Sequence, residues 1–152
     1  MLHETEADRD TVLATHLGAT FLLFRLAATS MARRKRGRII DIASMYSYLG
    51  AGALPSYSAA KGGIVQPTKS MTIELAPRCI QVNAIAPGWI DTEISRRGRE
   101  EEAFNAKVMA RLPTKRWSEP EELAGAAVFL ASPASRLING VTIPVDGGYV
   151  AA

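Results

Sequence analysis

Cysteine is nearly absent from this chain, because Cys79 is the only one among 152 residues. An internal disulfide is therefore excluded, and a single thiol is typical of a reducing compartment, which predicts a cytoplasmic protein. An excess of either charge is also missing, since 18 lysines and arginines stand against 15 aspartates and glutamates. With 47% hydrophobic and 22% charged residues, the composition is that of an ordinary globular domain.

Long apolar runs are missing too. The longest candidate, residues 19–28, is interrupted by Thr20 and Arg25 and is shorter than the roughly 20 residues that span a bilayer. Residues 1–6 are acidic and lack the basic and apolar regions of a signal peptide. The sequence therefore predicts no membrane partner.

The positive charge is concentrated in one cluster, made of Arg33, Arg34, Lys35, Arg36 and Arg38. Such a cluster can bind nucleic acid. Cations also gather where a helix ends, favoured by the negative end of the helix dipole, and Gly37 follows as a helix terminator. No aromatic residues are interleaved to stack on bases. A helix end is the favoured interpretation, and no nucleic-acid partner is expected.

Helix and strand patterns alternate along the chain. Apolar residues three or four apart predict a helix from about Thr5 to Arg33, with Thr5 and Asp8 as its capping box. Further helices are predicted over residues 56–76, 100–111 and 118–131. Strands are predicted over residues 38–43, 80–85 and 141–145. Because these strands are continuous apolar runs, they favour a parallel sheet in an α/β fold.

Tyr57 and Lys61 place a phenol and an ammonium one helical turn apart. A free tyrosine has a pKa near 10, and a cation held nearby favours the phenolate. Such a phenol can exchange a proton with an alcohol or carbonyl oxygen. Ser44 follows a predicted strand, at the strand ends where open α/β sheets bind ligands, and could hold the same oxygen. The pair alone is also common on ordinary surface helices.

The order of the motifs is more specific than the pair. Tyr57 follows Ser44 by thirteen positions, and a Val-Asn-Ala-Ile-Ala-Pro-Gly run at residues 82–88 and Val-Asp-Gly-Gly at residues 145–148 come later. In this order the chain resembles the short-chain dehydrogenase/reductase family, from about Thr5 to the C-terminus. The resemblance implies a Rossmann-like doubly wound parallel sheet, NAD or NADP as cofactor, a small-molecule substrate, no metal, and homo-oligomers in intact relatives.

The resemblance also implies roles for individual residues. Ser44 would orient and polarise the substrate oxygen, and Tyr57 would donate or accept the proton. Lys61 would favour the tyrosine phenolate and hydrogen-bond the nicotinamide ribose. The segment Pro87-Gly88-Trp89-Ile90-Asp91-Thr92 resembles the family's Pro-Gly-x-x-x-Thr loop. The loop residues implied in contacts to the nicotinamide carboxamide or a nearby phosphate are Pro87, Gly88, Ile90 and Thr92.

A substrate class follows from further likeness. Residues 43–47, 116–121 and 145–149 resemble sugar or sugar-acid dehydrogenases, such as glucose 1-dehydrogenases and deoxygluconate dehydrogenases. The expected reaction is hydride transfer between a secondary alcohol or ketone and the nicotinamide. Acyl-carrier-protein ketoreductases share much of the sequence of these segments. A 3-ketoacyl substrate therefore remains an alternative to a sugar.

The chain lacks the family's N-terminal cofactor segment. No G-x-x-x-G-x-G turn is present to seat a pyrophosphate on a helix N-terminus. Residues 1–152 are therefore expected to be the C-terminal portion of a single short-chain dehydrogenase/reductase domain, with a partial sheet that lacks the first four strands. Cofactor binding by this chain alone is expected to be weak, and the strand at residues 38–43 is expected to have a bare edge.

Three residues depart from the family pattern. His16 stands where relatives carry an asparagine whose main-chain carbonyl holds a water linked to the lysine. A histidine could relay protons itself or simply be packed. Pro67 interrupts a predicted helix where relatives carry leucine at a subunit interface, and Cys79, expected to be inert packing, stands in place of a glycine. These departures keep open a truncated, non-catalytic chain, or one that acts by associating with intact relatives.

Overall fold

The computed structural model describes residues 4–152. The first helix is continuous and consists of α1 (Glu6–Leu13), a π-helical turn (Ala14–Gly18) and α2 (Ala19–Arg34). The remaining strands and α-helices are β1 (Gly37–Ile42), α3 (Pro55–Leu75), β2 (Ile80–Pro87), α4 (Arg96–Glu100), α5 (Glu102–Arg111), α6 (Ala124–Ala131) and β3 (Thr142–Val145). Residues 1–3, part of the acidic N-terminus described above, lie outside the described residues.

The sheet has three parallel strands in the order β1-β2-β3. Ile39 pairs with Val82 in β2, and Ala84 of β2 pairs with Thr142 in β3. Each parallel connection passes through helical segments, as parallel strands require. The predicted α/β class and all three predicted strands are confirmed. Within residues 4–152, β1 lies at an edge, and its last residue, Ile42, is 50% exposed.

The core lies between the sheet and the two long helices. Its first cluster joins α2, α3 and the strands through Phe24, Ile39, Leu75, Ile80 and Val82. Its second cluster lies closer to the ends of the strands and comprises Ala43, Ile64, Ala84 and Ala86, packed against Leu17. Because side chains alternate along a strand, Asp41 faces the same side as Ile39 and Ala43 and lies between the two clusters.

The basic cluster does follow a helix end, but a lysine ends the helix. Lys35 adopts the left-handed conformation, with φ of 49°, at the C-terminus of α2. Gly37 is required for another reason, because a side chain there would overlap Met31. Arg38 donates hydrogen bonds to Gln81 Oε1 at 3.0 Å and to the Ala131 carbonyl at 2.9 Å. At least this arginine is engaged in the fold.

Several local expectations are corrected. The helix predicted over residues 118–131 has Glu119 as its N-cap and begins as a 3-10 turn (Pro120–Leu123) before α6. Cys79 is exposed, so the expectation of inert packing is wrong. It holds the left-handed conformation with φ of 57°, which accounts for the glycine of relatives. Helix α3 continues without a break through Pro67.

The helix from Glu6 to Arg34 is 29 residues long and, by length and composition alone, could cross a membrane. The sequence predicts no segment that is long and apolar enough to span a membrane. By length and composition this expectation is wrong, because the apolar residues on either side of Thr20 and Arg25 keep the mean hydropathy of the helix high. Long helices of soluble proteins pass the same test. Here the helix packs its one fully buried residue, Phe24, into the core and leaves neighbouring leucines exposed.

Candidate active site

Ser44 lies two residues after the end of β1 and caps a 3-10 turn (Met45–Ser47). Its Oγ accepts a hydrogen bond from the Tyr46 N–H at 3.2 Å, while its own N–H donates to Ser47 Oγ at 3.2 Å. The side chain is buried but its hydroxyl proton is not used in this cap. The hydroxyl is therefore free to donate a further hydrogen bond at the strand end.

Tyr57 lies in the first turn of α3, which Pro55 begins. Its ring meets the ring of His16 edge-on, with centroids 5.1 Å apart, and the ring of Tyr46 with centroids 6.3 Å apart. The Lys61 ammonium is 5.9 Å from the centroid of the Tyr57 ring. The predicted pair is thus brought together, and it is placed in an aromatic environment that the spacing did not predict.

Lys61 is only 8% exposed, and its Nζ donates to the main-chain carbonyl of Ile42 at 2.7 Å. Its own carbonyl accepts from Ser47 Oγ at 2.7 Å, which ties α3 to the turn that Ser44 caps. Burial lowers the pKa of Lys61, and the nearby Asp41 carboxylate acts in the opposite direction. An ammonium has three N–H donors, so two remain without a partner in the described part of the chain.

Asp41 is a site residue that the sequence reasoning missed. Its Oδ1 accepts from the Ile42 N–H at 2.8 Å, while Oδ2 is buried and has no hydrogen-bond partner among residues 4–152. Burial raises the pKa of this carboxyl, against the opposing effects of the Ile42 hydrogen bond and the Lys61 charge. An aspartate inside an isoleucine-rich strand was the available signal, since buried carboxylates are costly without a paired charge.

His16 lies in the π-helical turn, a feature that often accompanies functional sites. Burial lowers the pKa of His16, and the positive charge of Lys61 adds to this effect. The His16 carbonyl accepts a hydrogen bond from Thr20 Oγ1 at 3.0 Å. The carbonyl to which the resemblance assigns the water relay is therefore already engaged.

The loop after β2 is fixed against the end of β3. The Gly88 N–H donates to the Val145 carbonyl at 3.1 Å, and a side chain at Gly88 would overlap the main chain of Asp146. Only glycine fits this approach. Asp146 is buried and accepts from the main-chain N–H groups of Gly148 and Val150. The predicted Pro-Gly segment thus sits at the carboxyl ends of the strands.

The rest of this loop is held by Ser95. Ser95 Oγ donates to the Ile90 carbonyl at 2.6 Å and lies 3.2 Å from Thr92 Oγ1. Thr92 is exposed, and Ile90 forms an isolated bridge with Ser118. The residues present fit the nicotinamide end of NAD or NADP, because unpartnered ammonium donors and an exposed hydroxyl match ribose and carboxamide groups. They offer no Gly-rich turn for the pyrophosphate.

Aromatic rings form a wall beside Tyr57. Trp89 meets Tyr46, Phe104, Trp117 and Tyr149 edge-on, with ring centroids between 5.2 and 6.2 Å apart. Tyr46, Trp89, Phe104 and Tyr149 line a cavity of about 340 Å³ together with residues 49–54 and Arg111. This is the size and chemistry of a small-molecule site. The sequence did not predict it.

Comparison with known proteins identifies the family. A family model described as enoyl-(acyl carrier protein) reductase, of the short-chain dehydrogenase type, matches residues 1–150. The chain belongs to the short-chain dehydrogenase/reductase family. This confirms the resemblance inferred from the order of the motifs.

Two curated relatives and one solved structure show the extent of the likeness. The chain is 44% identical over 147 residues to 5-keto-D-gluconate 5-reductase of Escherichia coli K12, covering 97% of this chain and 58% of the relative. It is 42% identical to 2-dehydro-3-deoxy-D-gluconate 5-dehydrogenase of the same organism, covering 99% and 60%.

A gluconate 5-dehydrogenase from Burkholderia cenocepacia J2315, solved with NADP and tartrate, superposes with a TM-score of 0.95 at 37% identity, covering 97% and 58%. The partial Rossmann-like parallel sheet predicted from the sequence is thereby confirmed. The chain spans less than two thirds of the length of these relatives.

Proposed function

We propose that this chain is the catalytic portion of an NAD(P)-dependent oxidoreductase that transfers a hydride between a nicotinamide and a secondary alcohol or ketone of a sugar or sugar acid. The observation that carries the proposal is the buried Lys61 ammonium, held at the end of β1 beside Tyr57 and one turn away from it. Relatives that act on gluconate and deoxygluconate support the substrate class.

Each residue has one task in this reaction. When bound, the nicotinamide supplies the hydride acceptor or donor. In the oxidation direction, the Ser44 hydroxyl donates a hydrogen bond to the substrate oxygen, and the Tyr57 phenolate accepts the alcohol proton. The Lys61 ammonium uses a free N–H to bind the ribose. Pro87, Gly88, Ile90 and Thr92 hold the nicotinamide side of the cofactor.

Substitution of Tyr57 tests this function. We expect Tyr57→Phe to lower kcat/KM for the NADP-linked oxidation of gluconate by about 10²–10⁴-fold, the range that proton transfer contributes. Tyr48→Phe is the matched control, because the Tyr48 hydroxyl donates to the Thr142 carbonyl, away from the proposed proton path. The assay follows NADPH absorbance, with NAD as a second cofactor and a 3-ketoacyl thioester as a second substrate.

Turnover that is indifferent to Tyr57→Phe would contradict the assigned proton carrier. Turnover of the thioester alone would favour the ketoreductase alternative. No turnover of either substrate by the wild-type chain would favour a non-catalytic protein that acts with intact relatives.

We further propose that the chain self-associates in the cytoplasm. Its single cysteine supports the compartment. Self-association is supported by exposed apolar residues on two adjacent helices, Phe21, Leu22, Leu23 and Leu26 on α2 and Ile73 on α3. The proposed partners are thus a small-molecule substrate and a second copy of the chain.

A further inference from the structure

Arg111 lines the aromatic-walled cavity and forms no ion pair with an aspartate or glutamate side chain among the described residues. Its guanidinium carbon is 4.5 Å from the centroid of the Tyr149 ring, a cation–π arrangement. Its Nη2 donates to the main-chain oxygen of Ala152 at 3.1 Å. A guanidinium has five N–H donors, so most of them stay available to a ligand.

The cavity is otherwise uncharged. In the part of the chain that the structure describes, its lining consists of aromatic rings, small apolar residues of the segment 49–54, and Arg111 as the one ionisable cation. Arg111 is exposed, so it is reachable from the solvent side of the cavity. An apolar cleft with one fixed charge favours a ligand that carries the opposite charge at one end.

The cavity borders the proposed reaction centre through Tyr46. Burial raises the pKa of Tyr46, the phenols of Tyr149 and Tyr57 act in the same direction, and Arg111 opposes them. These groups influence one another because they converge on the same space. Tyr46 lines the cavity and stands with its ring centroid 6.3 Å from that of Tyr57.

We infer that Arg111 binds the carboxylate of a sugar-acid substrate in the aromatic-walled cavity while the reacting carbon lies at Tyr57. This inference rests on the proposed function and makes it narrower, since it selects acids over neutral sugars. The planar fork of an arginine matches two carboxylate oxygens, and stacking on Tyr149 fixes the plane of that fork. The neighbouring phenols donate hydrogen bonds to the hydroxyl groups of the sugar acid.

The test compares an acid with its neutral counterpart. Gluconate and sorbitol differ at carbon 1 and share the secondary alcohols. We expect Arg111→Gln to lower kcat/KM for gluconate by about 10- to 100-fold, the loss of a charge-assisted fork, and to change sorbitol turnover by less than about threefold. Arg111→Lys keeps the charge without the fork and is expected to lie between the two. Arg136→Gln is the matched control, because Arg136 is exposed on the turn after α6.

Equal losses for the two substrates, or none, would overturn the inference. Circular dichroism of each variant shows whether it folds, and if Arg111→Gln does not, the Lys variant decides. If the wild-type chain turns over neither substrate, the proposed function fails separately, and binding decides the inference. The NMR chemical shifts of the aromatic rings that line the cavity should then change when gluconate is added and not when sorbitol is added. This change should be seen only when Arg111 is present. Absence of this difference would overturn the carboxylate assignment.

Discussion

His16 stands edge-on to Tyr57 and near Lys61, so its protonation would place a second positive charge beside a buried ammonium. Burial and the Lys61 charge both keep the pKa of His16 below its usual value. The Asp41 carboxylate, across the helix–sheet boundary, acts on the same Lys61 ammonium. The neutral imidazole is thus the form that the fold favours.

This shift predicts a pH-dependent stability at the residue scale. A histidine whose pKa is lowered on folding contributes stability above its unfolded pKa of about 6.5, and this stability is lost as the pH falls through the folded pKa. His16→Asn should therefore raise the melting temperature relative to wild type at pH 5 and not at pH 8. We expect a difference of at most about 2 °C, because the partly exposed ring is screened by solvent.

Thermal unfolding followed by circular dichroism at both pH values measures this effect. The wild-type chain at pH 8 is the internal control, since the imidazole is neutral there in the folded and unfolded states. An equal change at the two pH values would show that packing of the ring, and not its charge, matters.

Helix α3 carries Tyr57 and Lys61 in its first half and Pro67 in its second half. Proline has no N–H, so the Gly63 carbonyl four residues earlier receives no helical hydrogen bond from it, and the ring crowds that turn. The helix nevertheless continues to Leu75, because Ile64, Thr68 and Leu75 are buried against the sheet. Tertiary packing here outweighs a local preference.

Pro67→Ala should therefore stabilise the chain. We expect the free energy of unfolding to rise by about 2–3 kcal/mol, the usual cost of proline inside a helix. Urea denaturation measures it, with an unchanged slope as the sign that only stability has moved. Gln66→Ala, on the exposed neighbouring position, is the matched control and should change stability by less than about 0.5 kcal/mol.

A gain for Pro67→Ala no larger than that of the control would mean that the surrounding helix has already relaxed around the proline. Pro67 lies downstream of the site residues, so turnover is expected to stay unchanged.

Sequence reasoning predicted well those elements whose conformation is determined by residues close together in the sequence. The strand at β1 is a continuous apolar run, and Tyr57 and Lys61 are one helical turn apart on α3, so spacing and the strand-end rule could bring them together with Ser44. The aromatic cavity could not be predicted in this way, because Tyr46, Trp89 and Tyr149 belong to three separate segments. Whether these segments come into contact depends on how the loops pack. Caps at Lys35 and Glu119 were missed because cap preferences differ by only fractions of a kcal/mol.

Within residues 4–152, an apolar face on α2 and α3 lies uncovered. Leu23 and Leu26 are each 65% exposed on α2, and Ile73 is 78% exposed on α3. Contiguous apolar surface of this kind is typical of an interface between protein chains. A second copy covering it would also account for the membrane-like composition of the first helix, since the leucines that make it apolar would be buried in the assembly.

Sedimentation velocity tests this. We expect the wild-type chain to sediment with at least twice its own mass and the double variant Leu23→Lys, Leu26→Lys to sediment as a monomer. A lysine ammonium in an apolar interface is costly to desolvate. Leu137→Lys is the control, because Leu137 is 94% exposed on a turn remote from α2. A monomeric wild-type chain would contradict the proposed self-association.

The π-helical turn between α1 and α2 sets the phase of one helix against two different neighbours. Before the turn the helix packs on α3, and after it the helix packs mainly on β1 and less extensively on α3. Successive residues of an α-helix are rotated by about 100°, so loss of a single codon within residues 14–18 would leave a helix but turn its first part by that angle. Insertions and deletions in this short stretch would therefore act on Tyr57 through its neighbour His16, while the packing of α2 on the sheet survives.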